Sequence, residues 1–371
     1  MLYLLHLLKD DATLLNIFKY VTFRSFGAGV FAFFLSVLLG SRVITLLARS
    51  RIREKIRPDG PQEHMAKSGT PTMGGLFIVL AVVFSTVLWG NLNEPVVVYS
   101  IAFTVVFGCI GFADDWMKLS GSRGMSAGLK FAIQCAAAIV LVFIFLRVQE
   151  AGFTMYVRAG EAVREYSFTS VAFPFIKDAV YEFGWMYFAL ALFVTIGTSN
   201  AVNLTDGLDG LAISSIIVTV GTYYILAFVA GNVTLANYLH IPYVRSAGEF
   251  AVFLAAVGGA CLGFLWYNAY PARVFMGDTG SLALGASIGL AALVTKQEIL
   301  LVLIGGIFVA ETVSVLLQVG FFRLKGRRLF RMSPLHHHFE KSGWHESQIV
   351  IRFWIVSFVL ALMALATLKV R

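Results

Sequence analysis

Asn203-Leu204-Thr205-Asp206-Gly207-Leu208-Asp209-Gly210 places two carboxylates three residues apart between two apolar runs, 186–202 and 211–230. Each run is long enough to cross the hydrocarbon of a bilayer as a helix. A carboxylate beside hydrocarbon is costly, so an acidic, glycine-punctuated loop here calls for a function rather than a packing reason. Working outward, the same alternation continues in both directions. Further apolar runs lie at 26–48, 74–90, 96–113, 129–147, 250–267, 281–295, 299–322 and 349–368.

Composition agrees with that reading. The 371 residues are 58% hydrophobic and 13% charged, about half the charge of an ordinary soluble domain. The expected fold is an all-α polytopic membrane protein of about ten transmembrane helices, forming a single integral membrane domain over residues 1–371. Cys109, Cys135 and Cys261 each fall inside an apolar block, where a thiol behaves as a small hydrophobe, and no disulfide or zinc framework is expected. Residues 1–22 begin leucine-rich but lack a basic start and a small-residue cleavage site, so they read as an interfacial amphipathic segment rather than a signal peptide.

The eighth and ninth runs are separated only by Lys296-Gln297-Glu298, and fusing them would invert every later connection. Charge settles the parity. With ten spans, the odd-numbered connections hold more than half of the 29 basic residues, which places those loops in the cytoplasm and both termini in the periplasm. The longest outer connection, 148–185, carries an alternating stretch from Phe153 to Thr169 about Ala159-Gly160-Glu161, a short β-hairpin. Pro174 then precedes an expected surface helix ending near Gly184, and the whole connection reads as a lid or spacer.

Every conspicuous polar motif lies on an odd, positively flanked loop. Lys67-Ser68-Gly69-Thr70-Pro71-Thr72-Met73-Gly74-Gly75 could offer donors to an anion, or serve only as a turn and helix start. Asp114-Asp115-Trp116-Met117-Lys118 closes the third span; Lys118 at i+4 and i+3 could neutralise one aspartate but not both. Paired aspartates at a membrane surface suit a hard divalent cation that bridges to substrate phosphates. The third loop adds Asn203, Asp206 and Asp209, with Gly207 and Gly210 allowing close backbone approach to a ligand. The fourth, Asn268 to Ser281, contains Phe275-Met276-Gly277-Asp278-Thr279-Gly280-Ser281.

Asp114, Asp115, Asp206, Asp209 and Asp278 thus share one face, where they would repel one another unless cations neutralised them. The fifth loop follows a basic run, Arg323 to Arg331, with Ser333-Pro334-Leu335-His336-His337-His338-Phe339-Glu340. Adjacent histidines seldom converge on one ion, so phosphate contact or proton handling fits them better than zinc. Together these features indicate phosphoryl transfer between a phosphate compound and a membrane-resident acceptor. An ion transporter would instead place charges in mid-span and show repeat symmetry.

The five motifs, with Thr70-Pro71-Thr72-Met73-Gly74-Gly75 and Pro334-Leu335-His336-His337-His338-Phe339-Glu340 the most distinctive, resemble those of the bacterial phospho-N-acetylmuramoyl-pentapeptide transferases (translocase I) across essentially the whole chain. The related polyprenyl-phosphate N-acetylglucosamine-1-phosphate transferases are the alternative branch. The resemblance implies a multi-pass enzyme of the bacterial inner membrane with its site on the cytoplasmic face. Its substrates would be UDP-N-acetylmuramoyl-pentapeptide and undecaprenyl phosphate, its products lipid I and UMP, and its cofactor Mg2+. A homodimer among membrane lipid is implied, and no nucleic-acid partner.

The resemblance further implies Asp278 as metal ligand, Asp114 and Asp115 as catalytic or metal-associated, and Lys118 among the catalytic set. Asn203, Asp206 and Asp209 would surround the nucleotide, Phe275 would stack on uracil, and Lys67, Thr72 and Asn268 would contact the nucleotide side. Lys130 and His336, His337 and His338 would join in binding substrate. Direct attack by the lipid phosphate and a two-step route through an aspartyl intermediate are both open. A phosphate monoester has a second pKa of about 6 and is mostly dianionic at neutral pH, which favours direct attack. The net charge of +8 suits anionic substrates.

Overall fold

Each apolar run is a helix. The computed structural model describes residues 1–8, 13–49, 70–120, 124–152, 155–159, 162–174, 176, 179–239 and 241–369. The helices are α1 (Val21–Arg49), α2 (Gly75–Trp89), α3 (Pro95–Leu119), α4 (Ala127–Gly152), α5 (Met186–Thr205), α6 (Leu211–Ala230), α7 (Val233–Leu239), α8 (Ala247–Asn268), α9 (Gly277–Thr295), α10 (Leu301–Ile304), α11 (Gly306–Lys325), α12 (Leu335–Glu340) and α13 (Glu346–Ala366). Among the described residues nine helices are long and apolar enough to cross a membrane. The tenth expected span, α2, has 15 residues, about 22 Å at 1.5 Å per residue, short of a ~30 Å hydrocarbon core. The chain is therefore an all-α multi-pass membrane protein.

The runs at 281–295 and 299–322 are separate elements, as charge parity requires. Lys296 takes a left-handed conformation (φ 56°) that ends α9, and the short α10 precedes α11. Helix α9 is the axis of the bundle: all residues from Thr279 to Thr295 are buried, surrounded by α2, α3, α5 and α6. Its glycine, alanine and serine surface explains the closeness, because small residues let backbones approach where lipid supplies no hydrophobic drive between helices. A Cβ on Gly285 would fall 2.6 Å from Ser199 Cα of α5. Helices α1 and α8 pack beside this axis on the same rule; a Cβ on Gly259 would lie 2.0 Å from Gly29 O.

The end of the bundle away from the aspartate loops carries the small sheets. Strands β1 (Met155–Ala159) and β2 (Ala162–Tyr166) form the antiparallel hairpin expected from alternation, with Ala159 opposite Ala162. The outer surface helix expected up to Gly184 is corrected: Val180–Glu182 is a strand, β4, pairing with β3 (Ser170–Ala172). Two β-branched residues occur in β3–β4, and pairing satisfies backbone groups that a short isolated helix would leave to water. A two-residue strand, β5 (Tyr243–Val244), also joins β1, too brief to read from sequence. The segment before α1 forms 3-10 turns at Leu2–Leu8 and Thr13–Lys19, and the amino terminus donates to Val87 O and Leu88 O at the far end of α2.

Below the β3 segment lies a buried ion pair. Lys296 Nζ sits 3.1 Å from Glu298 Oε1, donates to Phe168 O at 2.7 Å, and faces the rings of Phe168 and Tyr187. The Tyr187 hydroxyl donates to the same Glu298 oxygen at 2.6 Å. Neither charged side chain is solvent-exposed, so each is compensated by the other and by these donors and acceptors.

Candidate active site

At the opposite end, the starts of α2 and α9 and the end of α3 meet through glycine. A Cβ on Gly75 would fall 2.1 Å from Gly280 N, and one on Gly111 would fall 2.1 Å from Asp278 O. Only the absence of side chains there brings Asp114 and Asp115, one turn beyond Gly111, against the N-terminus of α9. Loops one and four are stitched by backbone: Phe275 N donates to Pro71 O, Gly74 N to Phe275 O and Gly75 N to Met276 O, at 2.8–2.9 Å. Gly277 adopts φ 73°, and a Cβ there would lie 2.8 Å from Asp115 Oδ2 and 3.2 Å from Thr72 Oγ1. Only glycine meets both demands.

The three aspartates have distinct environments. Asp115 Oδ2 accepts from Thr279 N (2.9 Å) and Thr279 Oγ1 (2.7 Å), while Oδ1 accepts from Asp278 N (3.2 Å). Asp115 thereby caps α9 from a neighbouring helix, satisfying N–H groups that have no partner within their own helix. Asp278 Oδ1 accepts from Asn203 Nδ2 of α5 (2.6 Å), which also reaches Ser281 Oγ (2.8 Å). Asp278 Oδ2 accepts from both Lys118 Nζ (2.6 Å) and Lys130 Nζ (2.7 Å). Asp114 Oδ1 accepts from Met125 N (2.7 Å), and its Oδ2 lies 2.9 Å from Lys118 Nζ and 3.4 Å from Lys130 Nζ. Lys118, the i+4 partner, therefore closes the ion pair with Asp114 on α3 and also bridges to Asp278 on α9.

This donor set fits a hard divalent cation, with one restriction. Oδ2 of Asp114 and Oδ2 of Asp278 face the same two ammonium groups, so they converge on one cationic position. Among the described residues no three acidic, histidine or cysteine side chains gather as a metal cage. Magnesium ordinarily takes one or two carboxylates and completes its shell with water and substrate phosphate, which Asp114 and Asp278 can provide. Asp115 is occupied with capping. Three carboxylates and two ammonium groups also leave a net charge of −1 in a recess where Asp114 is 4% and Asp278 13% exposed.

The third loop is held by groups expected to touch substrate. Asn268 accepts from Gly210 N (3.0 Å) and donates to Val274 O (2.9 Å), joining loops three and four. Asp209, buried, accepts from Ala272 N (2.9 Å), and its own N–H donates to Glu346 Oε1 (2.7 Å) at the start of α13. Both residues thus shape the loops through the contacts seen here. Asp206 is half-buried at the C-cap of α5, and Phe275 is half-buried with its backbone fixed by loop one. Thr72 faces Gly277; Lys67 lies outside the described residues.

The histidine motif forms the one-and-a-half-turn α12, and its three rings separate. His336 is buried with Nε2 against Gly207, where a Cβ would fall 2.3 Å away, so loop three accepts the ring only as glycine. His337 Nδ1 pairs with Glu340 Oε2 at 2.5 Å, and His338 Nδ1 accepts from Arg331 N at 3.2 Å. The anchor is Glu311 of α11. Its fully buried carboxylate accepts from Leu335 N (2.6 Å) and His336 N (3.1 Å), with Oε1 3.2 Å from His336 Nδ1. Sequence reading missed Glu311 and Glu346. For Glu311 the signal was present: it is the one acidic residue in the 299–322 run, and a lone carboxylate within a span marks a function.

The assembled cluster stands at one end of a membrane bundle, and comparison with known proteins agrees with it. Residues 97–296 match the model of glycosyl transferase family 4, and residues 67–79 match phospho-N-acetylmuramoyl-pentapeptide-transferase signature 1. Proteins named phospho-N-acetylmuramoyl-pentapeptide-transferase are similar over their whole length. That of Desulfotalea psychrophila is 49% identical over 96% of both chains. That of Syntrophus aciditrophicus is 48% identical over 100% of both, and that of Leptospira biflexa 46% over 98% of this chain and 97% of its own. With matches of that extent and the motif residues gathered at the starts of α2 and α9 and the end of α3, the chain belongs to the phospho-N-acetylmuramoyl-pentapeptide-transferase family within glycosyl transferase family 4.

Proposed function

We propose that this protein transfers phospho-N-acetylmuramoyl-pentapeptide from its UDP conjugate to undecaprenyl phosphate, giving lipid I and UMP for peptidoglycan synthesis. The observation that carries it is the convergence of Asp114, Asp278, Lys118 and Lys130 at the bundle end where all the motif loops meet. That end faces the cytoplasm of the inner membrane by the distribution of basic residues. The outer sheets and termini would then be periplasmic, and a homodimer is the assembly the family resemblance suggests.

Magnesium at Asp114 and Asp278 would neutralise charge on the donor diphosphate. The chain's own residues do the rest. Asn203 and the Asp115 cap hold the Asp278 carboxylate in one orientation. Lys118 and Lys130 would meet the transferred phosphate, and Phe275, whose backbone is fixed by the stitched loops one and four, would stack on the base. Asp114 has both oxygens engaged, Oδ1 by Met125 N and Oδ2 by the Lys118 ammonium, which leaves neither oxygen open to attack phosphorus. The lipid phosphate is already dianionic near neutral pH, with a second pKa of about 6, so the residues favour its direct in-line attack over an aspartyl intermediate.

The test is UMP release by purified protein in detergent with undecaprenyl phosphate and magnesium, using UDP-N-acetylmuramoyl-pentapeptide and, separately, UDP-N-acetylglucosamine. Release with the muramoyl donor alone is expected. Release only with the second donor would move the protein to the sister branch.

A further inference from the structure

Two ammonium groups on one carboxylate oxygen is an unusual arrangement. Lys118 Nζ and Lys130 Nζ come from different helices, α3 and α4, and both donate to Asp278 Oδ2, at 2.6 and 2.7 Å. Both also lie beside Asp114 Oδ2, at 2.9 and 3.4 Å. The same two oxygens are those a divalent cation would need, at about 2.0–2.1 Å for magnesium. A carboxylate oxygen that already accepts two short, charge-assisted bonds has no lone pair left for a metal. The lysines therefore occupy the cation position and do not merely stand near it.

Burial makes the arrangement consequential. The Lys130 side chain is 16% exposed and Asp114 is 4% exposed, so the Lys130 ammonium displaced from Oδ2 needs another anion in the recess, whereas Lys118, 46% exposed, also reaches solvent. Asp115 is the weaker alternative: its oxygens cap α9, and Oδ1 lies 3.7 Å from Lys118 Nζ. The incoming donor supplies one: its diphosphate presents oxygens to cations on flexible four-carbon stems. The charge balance agrees, because −1 becomes +1 with a divalent cation and then returns to about −1 with a doubly charged diphosphate.

Resting on the magnesium reading above, we propose that Lys118 and Lys130 are resident counter-ions of the Asp114–Asp278 cation site. On substrate entry they pass from Asp278 Oδ2 to the donor phosphates, so that donor and divalent cation bind cooperatively. Free enzyme then binds the cation weakly, and the same coupling factor appears in donor affinity with and without cation.

The experiment measures Mn2+ binding to the purified full-length protein by the paramagnetic resonance signal of free Mn2+, without and with UDP-N-acetylmuramoyl-pentapeptide, and no lipid acceptor. Chelation by the donor alone is subtracted. In the wild type the donor tightens Mn2+ by about tenfold or more, within the usual span of such couplings. In Lys130→Met and Lys118→Met, Mn2+ binds about tenfold more tightly without donor, and the donor effect shrinks below about threefold. The gain persists in about 1 M salt, where the screening length is about 3 Å and only direct contacts survive.

Donor-free affinity unchanged or weakened in both variants would overturn the proposal, as would a gain abolished by salt, which would mark a general field effect. No Mn2+ binding by the wild type under either condition would overturn the magnesium reading with it. Binding by the wild type with no response to lysine replacement would sink the counter-ion role alone.

Discussion

Asp115→Ala should act on stability and geometry rather than on cation affinity. The carboxylate accepts three hydrogen bonds from the first turn of α9, two from backbone N–H groups and one from Thr279 Oγ1, and is 3% exposed. Loss of a helix cap costs about 0.5–2 kcal/mol, and each buried donor left unpaired costs about 1–3 kcal/mol. Water entering the vacated space would satisfy part of the demand, so a net loss of about 2–4 kcal/mol is expected. Because Asp278 is the second residue of α9, its carboxylate would shift with the loosened turn, and a displacement of about 1 Å costs on the order of 100-fold in rate.

Thermal unfolding in detergent, followed by tryptophan fluorescence, reads the first effect; UMP release reads the second. Asp115→Asn, which keeps an oxygen acceptor, should lose about half the stability lost by the alanine variant. The reasoning fails if Asp115→Ala unfolds at the wild-type temperature while its Mn2+ affinity drops tenfold or more. That pattern would make Asp115 a ligand and not a cap.

Glu311→Ala should raise KM for the donor by about tenfold with a smaller change in kcat, since it frees the start of α12 without touching the carboxylate cluster; steady-state kinetics against Glu311→Gln, which retains an acceptor, checks this. Lys296→Met should destabilise by about 3–5 kcal/mol by leaving Glu298 buried and unpaired, and adding Glu298→Gln should restore part of the unfolding temperature. Asp114→Asn should keep the acidic limb of the pH–rate profile, near a pKa of about 6 set by the lipid phosphate, although its overall rate falls. A phosphorylated aspartate trapped in the wild type would contradict direct attack.

The parts of this protein visible in its sequence are those governed by one-dimensional rules. Hydrocarbon thickness sets run length, so α1, α3 to α6, α8, α9, α11 and α13 could be placed, and the charge bias separated α9 from α11 across Lys296-Gln297-Glu298. Aspartates at span ends signalled chemistry because burial of charge demands a reason. What stayed hidden depends on partners distant in sequence. Asp114 and Asp115 are adjacent and chemically identical, yet one faces two lysines and the other caps α9, a division made by where Gly111 lets α9 pass. The family resemblance implies substrate contacts for Asn268 and Asp209, and no one-dimensional rule indicates that they also join loops three and four in the fold. Strands β3 to β5 are too short for alternation to register, and β5 pairs with a segment about ninety residues earlier in the chain.

The most direct test of the account is Asp278→Asn, assayed for UMP release at saturating donor, lipid phosphate and magnesium, with donor binding measured in parallel by calorimetry. This one carboxylate holds both lysines and Asn203 in the free enzyme and the cation in the loaded one, so the rate should fall on the order of 1,000-fold, about 4 kcal/mol of barrier, a loss that saturating donor does not restore. A variant that keeps more than about a tenth of the wild-type rate would mean that the reaction is organised around some other group.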